Sequence, residues 1–235
     1  GVAHLGTMIE ILKGYEFEEK RGTTTLRKEP IGVCGFITPW NWPMNQIMCK
    51  VAPAIAAGCT VVLKPSEEAP LDAYIFAEVM DAAGVPKGVF NLVPAGRESG
   101  DYLVRHKDID KVAFTGSTMA GKKIAAACSD RLARVSLELG GKSAAVLLDD
   151  ADFGAAMMPL MIYSMPITGQ VCFSLTRILV HEDRKQEFLD MFIPAVQAIK
   201  VGDPADPTTQ MGPLTMGRQR ERVENYIRAG IEGGA

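Results

Sequence analysis

Short β-branched runs alternate with helix-length amphipathic stretches from residue 32 onward, and nothing else in the chain restricts its fold so tightly. Strands are expected at residues 32–37, 60–63, 89–92, 111–114 and 133–137, with helices at 45–57, 71–84, 99–106 and 117–129. Parallel neighbours in a sheet need a long crossover, and a helix supplies it. The alternation therefore predicts an α/β fold with a doubly wound, mostly parallel sheet. Gly58, Gly84 and Gly88 stand where helices should end or strands begin. Pro65-Ser66 and Gly116-Ser117 fall in strand-to-helix turns and suit open helix N-termini.

The pattern restarts after Gly140-Gly141, which is the expected domain boundary, between residues 1–140 and 141–235. A strand at 143–148 runs into Asp149-Asp150-Ala151-Asp152, a good helix start, and a helix at 153–165 follows. A β-rich run at 176–181, a helix near 184–199, a loop with three prolines at 202–213 and an amphipathic helix at 218–229 complete the start of a second α/β domain. Residues 17–28, within a polar stretch near 16–29, are β-prone and read as an extended arm or hairpin.

With 235 residues, 47% of them apolar and 23% charged, the chain can bury a sizeable core. A net charge of −3 and scattered basic residues argue against a nucleic-acid or membrane-surface partner. The longest apolar run, 51–63, is interrupted by Pro53, Gly58 and Cys59 and is too short to span a membrane. Five cysteines with no Cys-x-x-Cys suggest reduced thiols in a cytoplasmic setting, and Cys34, Cys49, Cys59 and Cys128 are expected to be packed. His4, His106 and His181 are far apart, so no metal site is expected. The chain opens on Gly1, ends on Gly233-Gly234-Ala235 and has no signal-peptide pattern, which reads as a fragment of a longer polypeptide.

A doubly wound sheet binds ligands outside the carboxyl ends of its strands. No Gly-x-Gly occurs, so the common dinucleotide fingerprint is absent. Gly116 to Lys123 nearly makes a P-loop, but Lys123 stands where a Ser or Thr must hold Mg²⁺. Thr115-Gly116-Ser117 could still open a helix toward a diphosphate, or could be a tight turn with Ser117 as N-cap. Lys64 and Glu67 could grip a ribose diol or be exposed turn charges. Cys172 and Glu138 together could perform covalent acyl chemistry, a thiolate attacking a carbonyl and a carboxylate activating water. Alone, such a cysteine is more often a small buried hydrophobe.

Five motifs then converge in order: Pro39-Trp40-Asn41-Trp42-Pro43, Lys64-Pro65-Ser66-Glu67, Phe114-Thr115-Gly116-Ser117-Thr118, Leu137-Glu138-Leu139-Gly140-Gly141-Lys142 and Gly169-Gln170-Val171-Cys172. In this the chain resembles the NAD(P)-dependent aldehyde dehydrogenases, from about Tyr15 onward. The resemblance implies a Rossmann-like cofactor domain followed by the start of a catalytic domain. It implies Cys172 as nucleophile, Asn41 with the Cys172 N–H as oxyanion donors, and Glu138 as the base for thioester hydrolysis. Lys50 would be a proton relay near Glu138, or an ordinary helix-surface lysine. Ile37, Thr38, Pro39 and Trp40 would line the cofactor cleft, with Lys64, Ser66 and Glu67 toward the adenosine ribose. Gly96 and Gly100 would admit the adenine half, Phe114, Gly116 and Ser117 the diphosphate, and Leu139 and Gly140 the nicotinamide.

A carboxylate at Glu67 would repel a 2′-phosphate, so NAD is expected over NADP. The resemblance further implies a small aldehyde substrate, a free acid as product and a homodimeric or homotetrameric parent. A catalytically silent binding protein on the same scaffold, or a cofactor-free cysteine hydrolase, are the alternatives. Two departures stand out: the family commonly has Asn where Ile167 lies, and a small residue where Phe173 follows Cys172. The family's later Glu-Ile-Phe-Gly-Pro motif would lie beyond Ala235, so the chain by itself is expected to have little dehydrogenase activity.

Overall fold

A computed structural model of the chain describes residues 1–234. The chain divides into two compact units, Gly1–Leu139 and Gly140–Ala235.

The first unit opens with helix α1 (Val2–Lys13) and a hairpin of β1 (Glu18–Arg21) and β2 (Thr24–Arg27). Gly22, at φ +62°, takes the left-handed position in its turn, which glycine adopts without a Cβ clash. Then come β3 (Val33–Ile37), α2 (Pro43–Ala56), β4 (Thr60–Lys64), α3 (Leu71–Ala82), β5 (Phe90–Leu92), α4 (Arg97–Arg105), β6 (Lys111–Gly116), α5 (Thr118–Ser129) and β7 (Arg134–Leu139). The five strands β3 to β7 form one parallel sheet in the order β5-β4-β3-β6-β7. The chain thus winds outward from β3 in one direction, returns, and winds outward in the other. This is the doubly wound α/β class that the alternation predicts.

Side-chain alternation along the strands builds two cores. Cys34, Phe36, Val61, Leu63 and Ala113 join Ile47, Met48 and Val51 of α2 and Phe76 of α3. Val112 and Phe114 join Val104 of α4 and Ile124, Ala127 and Cys128 of α5, with Leu137 and Leu139 packed against them. Fully burying one such aliphatic side chain is worth roughly 1.5–3 kcal/mol, so both faces hold the central strands firmly. At the strands' N-terminal edge, the Asp110 carboxylate accepts the Val33 N–H at 2.7 Å. The preceding Gly32 has φ +117°, and a Cβ there would overlap that carboxylate.

The second unit contains β8 (Ser143–Leu147), α6 (Phe153–Ser164), a 3₁₀ segment Pro166–Gly169, β9 (Leu175–Val180), a 3₁₀ turn Glu182–Arg184, α7 (Lys185–Gln197) and α8 (Gly217–Glu232). β8 and β9 pair in parallel, and α6 begins at an Asp152 cap whose carboxylate accepts the Ala155 N–H at 3.0 Å. Phe153, Leu160 and Phe188 form a small core, with Phe153 and Phe188 edge to face at 5.6 Å. Among the described residues, none of α8 is buried. No helix among them is long and apolar enough to cross a membrane, and no group of three or more His, Cys, Asp or Glu could hold a metal ion.

Candidate active site

In the first unit the expected cofactor residues gather at the carboxyl ends of the parallel strands. Ile37 ends β3, with Thr38 next; Lys64 ends β4; Gly96 caps α4 after β5; Gly116 ends β6; Leu139 ends β7. The winding reverses between β3 and β6, and the carboxyl edge at such a reversal is the usual ligand position in sheets of this kind. Thr38 is buried, and its hydroxyl has no hydrogen-bond partner among the described residues. Pro39, Trp40 and Asn41 are half-buried and lead to the Trp42–Pro43 start of α2, where proline at the first position leaves no N–H to satisfy.

Lys64 is buried, and its ammonium donates to the Pro65 carbonyl at 3.0 Å. Burial lowers its pKa, while the neighbouring Glu67 carboxylate opposes the shift. Glu67 itself is exposed, and Ser66, half-buried, accepts the Glu68 N–H at 3.3 Å. Gly100 lies against the Lys64 methylenes, where a Cβ would stand 3.3 Å from two of them, and a Cβ on Gly96 would stand 3.3 Å from Glu67 Oε2. These two glycines therefore let α4 approach the Lys64–Glu67 turn. Ser117 caps α5 by accepting the Ala120 N–H at 3.3 Å. Gly116 lies against the Phe114 ring, where a Cβ would come within 2.5 Å. Leu139 packs against Gly121 of α5, so its side chain serves the core.

On the opposite, α2-side face a cavity of about 730 Å³ opens beside β6 and β7. Its walls include Cys34, Phe36, Gln46, Cys49, Lys50, Cys59, Lys111, Ser136 and Glu138. Lys50 is buried, only 9% exposed, so it is not the helix-surface lysine that the sequence alone allowed. Its Nζ donates to Thr115 Oγ1 at 2.6 Å. Burial lowers the Lys50 pKa, and the charges of Cys49 and Glu138 act in the other direction. Glu138 is exposed and is the ladder partner of Thr115 on the adjacent strand. Thr115 is read from the sequence only as part of the Thr115-Gly116-Ser117 turn, and its contact with Lys50 is what sequence reasoning missed. Strand alternation aligns it with Ala113, on the Lys50 side, but its pairing with Glu138 depends on a register no local motif encodes.

The Cys34 thiol is pushed up to about 12 by burial and by neighbouring Cys59, which leaves it an inert thiol. Cys49 departs from the expected packing: it is exposed, with Sγ 3.2 Å from Nε2 of His4 on α1, which packs on α2. Cys34, Cys59 and Cys128 are buried as expected.

Cys172 belongs to the second unit and is exposed, between buried Val171 and exposed Phe173, with buried Ser174 leading into β9. Its turn is tied down on both sides. Gln170 Nε2 donates to the Ile167 carbonyl at 3.0 Å, Gln170 Oε1 accepts the Thr215 N–H at 3.1 Å, and Thr168 Oγ1 donates to the Gly212 carbonyl at 3.0 Å. Gly141 allows close passage, since a Cβ there would stand 3.3 Å from the Cys172 carbonyl oxygen. Gly140 has open space at that position. Ile167 and Thr168 sit at φ +49° and +57°, a left-handed conformation that is costly for β-branched residues. Asparagine tolerates it far better. This gives a backbone reason for the asparagine that the family commonly carries where Ile167 stands.

The family model described as the aldehyde dehydrogenase family matches residues 2–235, and the chain belongs to that family. It is 49% identical, over 236 residues covering all of it, to a 3-succinoylsemialdehyde-pyridine dehydrogenase of a Pseudomonas species, of which it covers 50%. It is 50% identical over 208 residues to a geranial dehydrogenase of Castellaniella defragrans, 88% of this chain and 44% of that protein. Among solved structures, a mutant aldehyde dehydrogenase C of Pseudomonas syringae with NAD+ and octanal superposes with a TM-score of 0.94 at 44% identity, over 100% of this chain and 49% of its own. Betaine aldehyde dehydrogenase of Staphylococcus aureus with NAD+ gives 0.94 at 36% identity, over 99% and 48%. The chain spans about half the length of the curated relatives it matches.

Proposed function

We propose that this chain carries the cofactor-binding and nucleophile segments of an enzyme that oxidises an aldehyde to a carboxylic acid with NAD+. The observation that carries the reading is the gathering of Thr38, Lys64, Gly96, Gly116 and Leu139 at one edge of a parallel sheet, in a member of this family. The donor set fits a dinucleotide. A buried, unpartnered Thr38 hydroxyl, the capped N-terminus of α5 and the Lys64–Glu67 turn beneath Gly96 and Gly100 offer hydrogen bonds, a positive dipole end and a diol acceptor. When bound, NAD+ supplies a hydride acceptor.

Each of the chain's own groups has a step. The Cys172 thiolate adds to the aldehyde carbon, and the thiohemiacetal oxyanion is held by the Asn41 amide and the Cys172 N–H. Once the carbon is oxidised to a thioester, Glu138 takes a proton from water, the water oxygen bonds to the acyl carbon, and the thiolate leaves. The presence of Glu138 supports hydrolysis over acyl transfer to another thiol. The Glu67 carboxylate disfavours a 2′-phosphate and supports NAD over NADP. Assembly into dimers or tetramers completes the reading.

A polypeptide of the relatives' full length carrying these residues tests it. With NAD+ and a panel of octanal, geranial and betaine aldehyde, NADH absorbance should rise with at least one, in step with the carboxylic acid. Protein that binds NAD+ yet gives no NADH with any aldehyde would point instead to a silent binding protein.

A further inference from the structure

Cys49 lies open to solvent while Cys34, Cys59 and Cys128 are buried, and no step of the proposed cycle uses it. Its Sγ is 3.2 Å from Nε2 of His4, a half-buried ring that α1 holds against α2. Met8, one turn further along α1, packs on the core of the unit, so His4 stands on the inward face of that helix. The other ring nitrogen, Nδ1, is buried and has no hydrogen-bond partner among the described residues. Asn45 Oδ1, one turn back on α2, is 3.8 Å from the same sulfur and is the longer of the thiol's two contacts. With its proton on Nδ1, the imidazole accepts the thiol hydrogen at Nε2. A thiol paired with such a base is the form in which cysteine attacks carbon.

Cys49 also lines the cavity of about 730 Å³. Much of that wall is apolar, with Ile31, Phe36, Pro53, Ala54 and Phe114 on it. Its two cations are already held by hydroxyls, Lys50 by Thr115 and Lys111 by Ser136. A neutral molecule with an apolar tail fits these walls, whereas a charged one would lose its hydration against Phe36 and Phe114. A soft sulfur nucleophile facing such a molecule adds readily to a carbon–carbon double bond conjugated with a carbonyl.

We propose that Cys49 and His4 form a second thiol site, which takes α,β-unsaturated aldehydes with apolar tails by conjugate addition. His4 Nε2 takes the thiol proton, and a sulfur lone pair forms a C–S bond to the β-carbon. The π pair of the double bond moves toward the carbonyl as an enolate, which takes a proton back at the α-carbon from the imidazolium or from water. The product is a saturated aldehyde thioether, so no electrons leave and no oxidant is needed. The addition goes beyond the oxidation assigned to Cys172, where sulfur attacks the carbonyl carbon, and it requires no NAD+.

The probe is trans-2-octenal, incubated with the chain in the absence of NAD+. Borohydride reduction then fixes the thioether, and peptide mapping by mass spectrometry locates it. The Cys49 adduct should form at least about tenfold faster than adducts at Cys34, Cys59 or Cys128, with a rate that saturates as octenal rises. Octanal, which has the tail but no conjugated double bond, should leave no fixed adduct and should slow the octenal reaction by competition. His4→Gln keeps an acceptor but not a base, and should slow Cys49 labelling at least about tenfold at an unchanged thermal midpoint. In His4→Ala, added free imidazole should restore the rate, while leaving the parent unaffected. Labelling of Cys49 no faster than of the buried cysteines would overturn the site, as would a linear rate insensitive to octanal. Equal rates in His4→Gln and the parent, or no rescue of His4→Ala by imidazole, would overturn the role of His4. A full-length polypeptide should label in the same order, and Cys49 left unmodified there would sink the proposal.

Discussion

Lys50 and Cys172 show how differently the two units carry reactive groups. Lys50 sits on a helix locked to a sheet whose central strands are covered on both faces, and its neighbours Ile47, Val51 and Ala54 are all buried. Cys172 sits on an exposed turn, reached through two left-handed β-branched residues and backed by a core of only a few buried side chains. The first arrangement makes position insensitive to surface change. The second depends on a handful of hydrogen bonds from Gln170 and Thr168. A regular sheet thus holds Lys50 in place, while a turn presents the proposed nucleophile.

Several substitutions would break or sharpen this contrast. The largest effect is expected from Cys172→Ser in a full-length polypeptide, which should lower aldehyde-dependent NADH formation by at least about a thousandfold, because a hydroxyl is a far weaker nucleophile. Retained turnover would remove the nucleophile assignment. Next, Leu63→Ala at a fully buried strand position should cost about 3 kcal/mol in urea unfolding, whereas Leu179→Ala, half-exposed in the second unit, should cost under about 1 kcal/mol. Similar losses at the two sites would erase the difference in core quality. Replacing Glu67 with Gln should raise the NADP+ to NAD+ ratio of kcat/KM about tenfold through relief of like-charge repulsion. The smallest change, Ile167→Asn, should stabilise the chain by about 1 kcal/mol by relaxing a left-handed backbone, read as a higher thermal midpoint.

Legibility in the sequence followed the same divide. The parallel strands were readable because β-branched runs and glycine stops repeat, and the observed bounds differ from expectation by a residue or two, as with β3 at Val33–Ile37. The start of α2 at Pro43, two residues before the expected 45, follows from proline at a helix's first position, a signal present in the chain. The burial of Lys50 was also readable, since it falls on the same helical stripe as Ile47, Val51 and Ala54. By contrast α1 gave little signal: it has no side-chain cap, contains Gly6, and among the described residues none of it is buried. The left-handed turn at Ile167 and Thr168 runs against what those residues prefer, so local propensity pointed away from it. Thr115 needed the β6–β7 register, which is a property of the assembled sheet.

The Gly32–Asp110 contact lies at the N-terminal edge of the parallel sheet, opposite the edge where Thr38 and Glu138 stand. Through it, the Asp110 carboxylate keys Val33 of β3 against the start of β6. Strand register is shared along its whole length, so this key also sets how Thr38 and Thr115 stand at the other end. In a genetic screen, a side chain introduced at Gly32 would therefore score like a lesion in the site itself, although it touches none of the reacting groups. Sequence drift in such a protein is constrained at both ends of a strand, with the remote end answering for the chemistry at the near one.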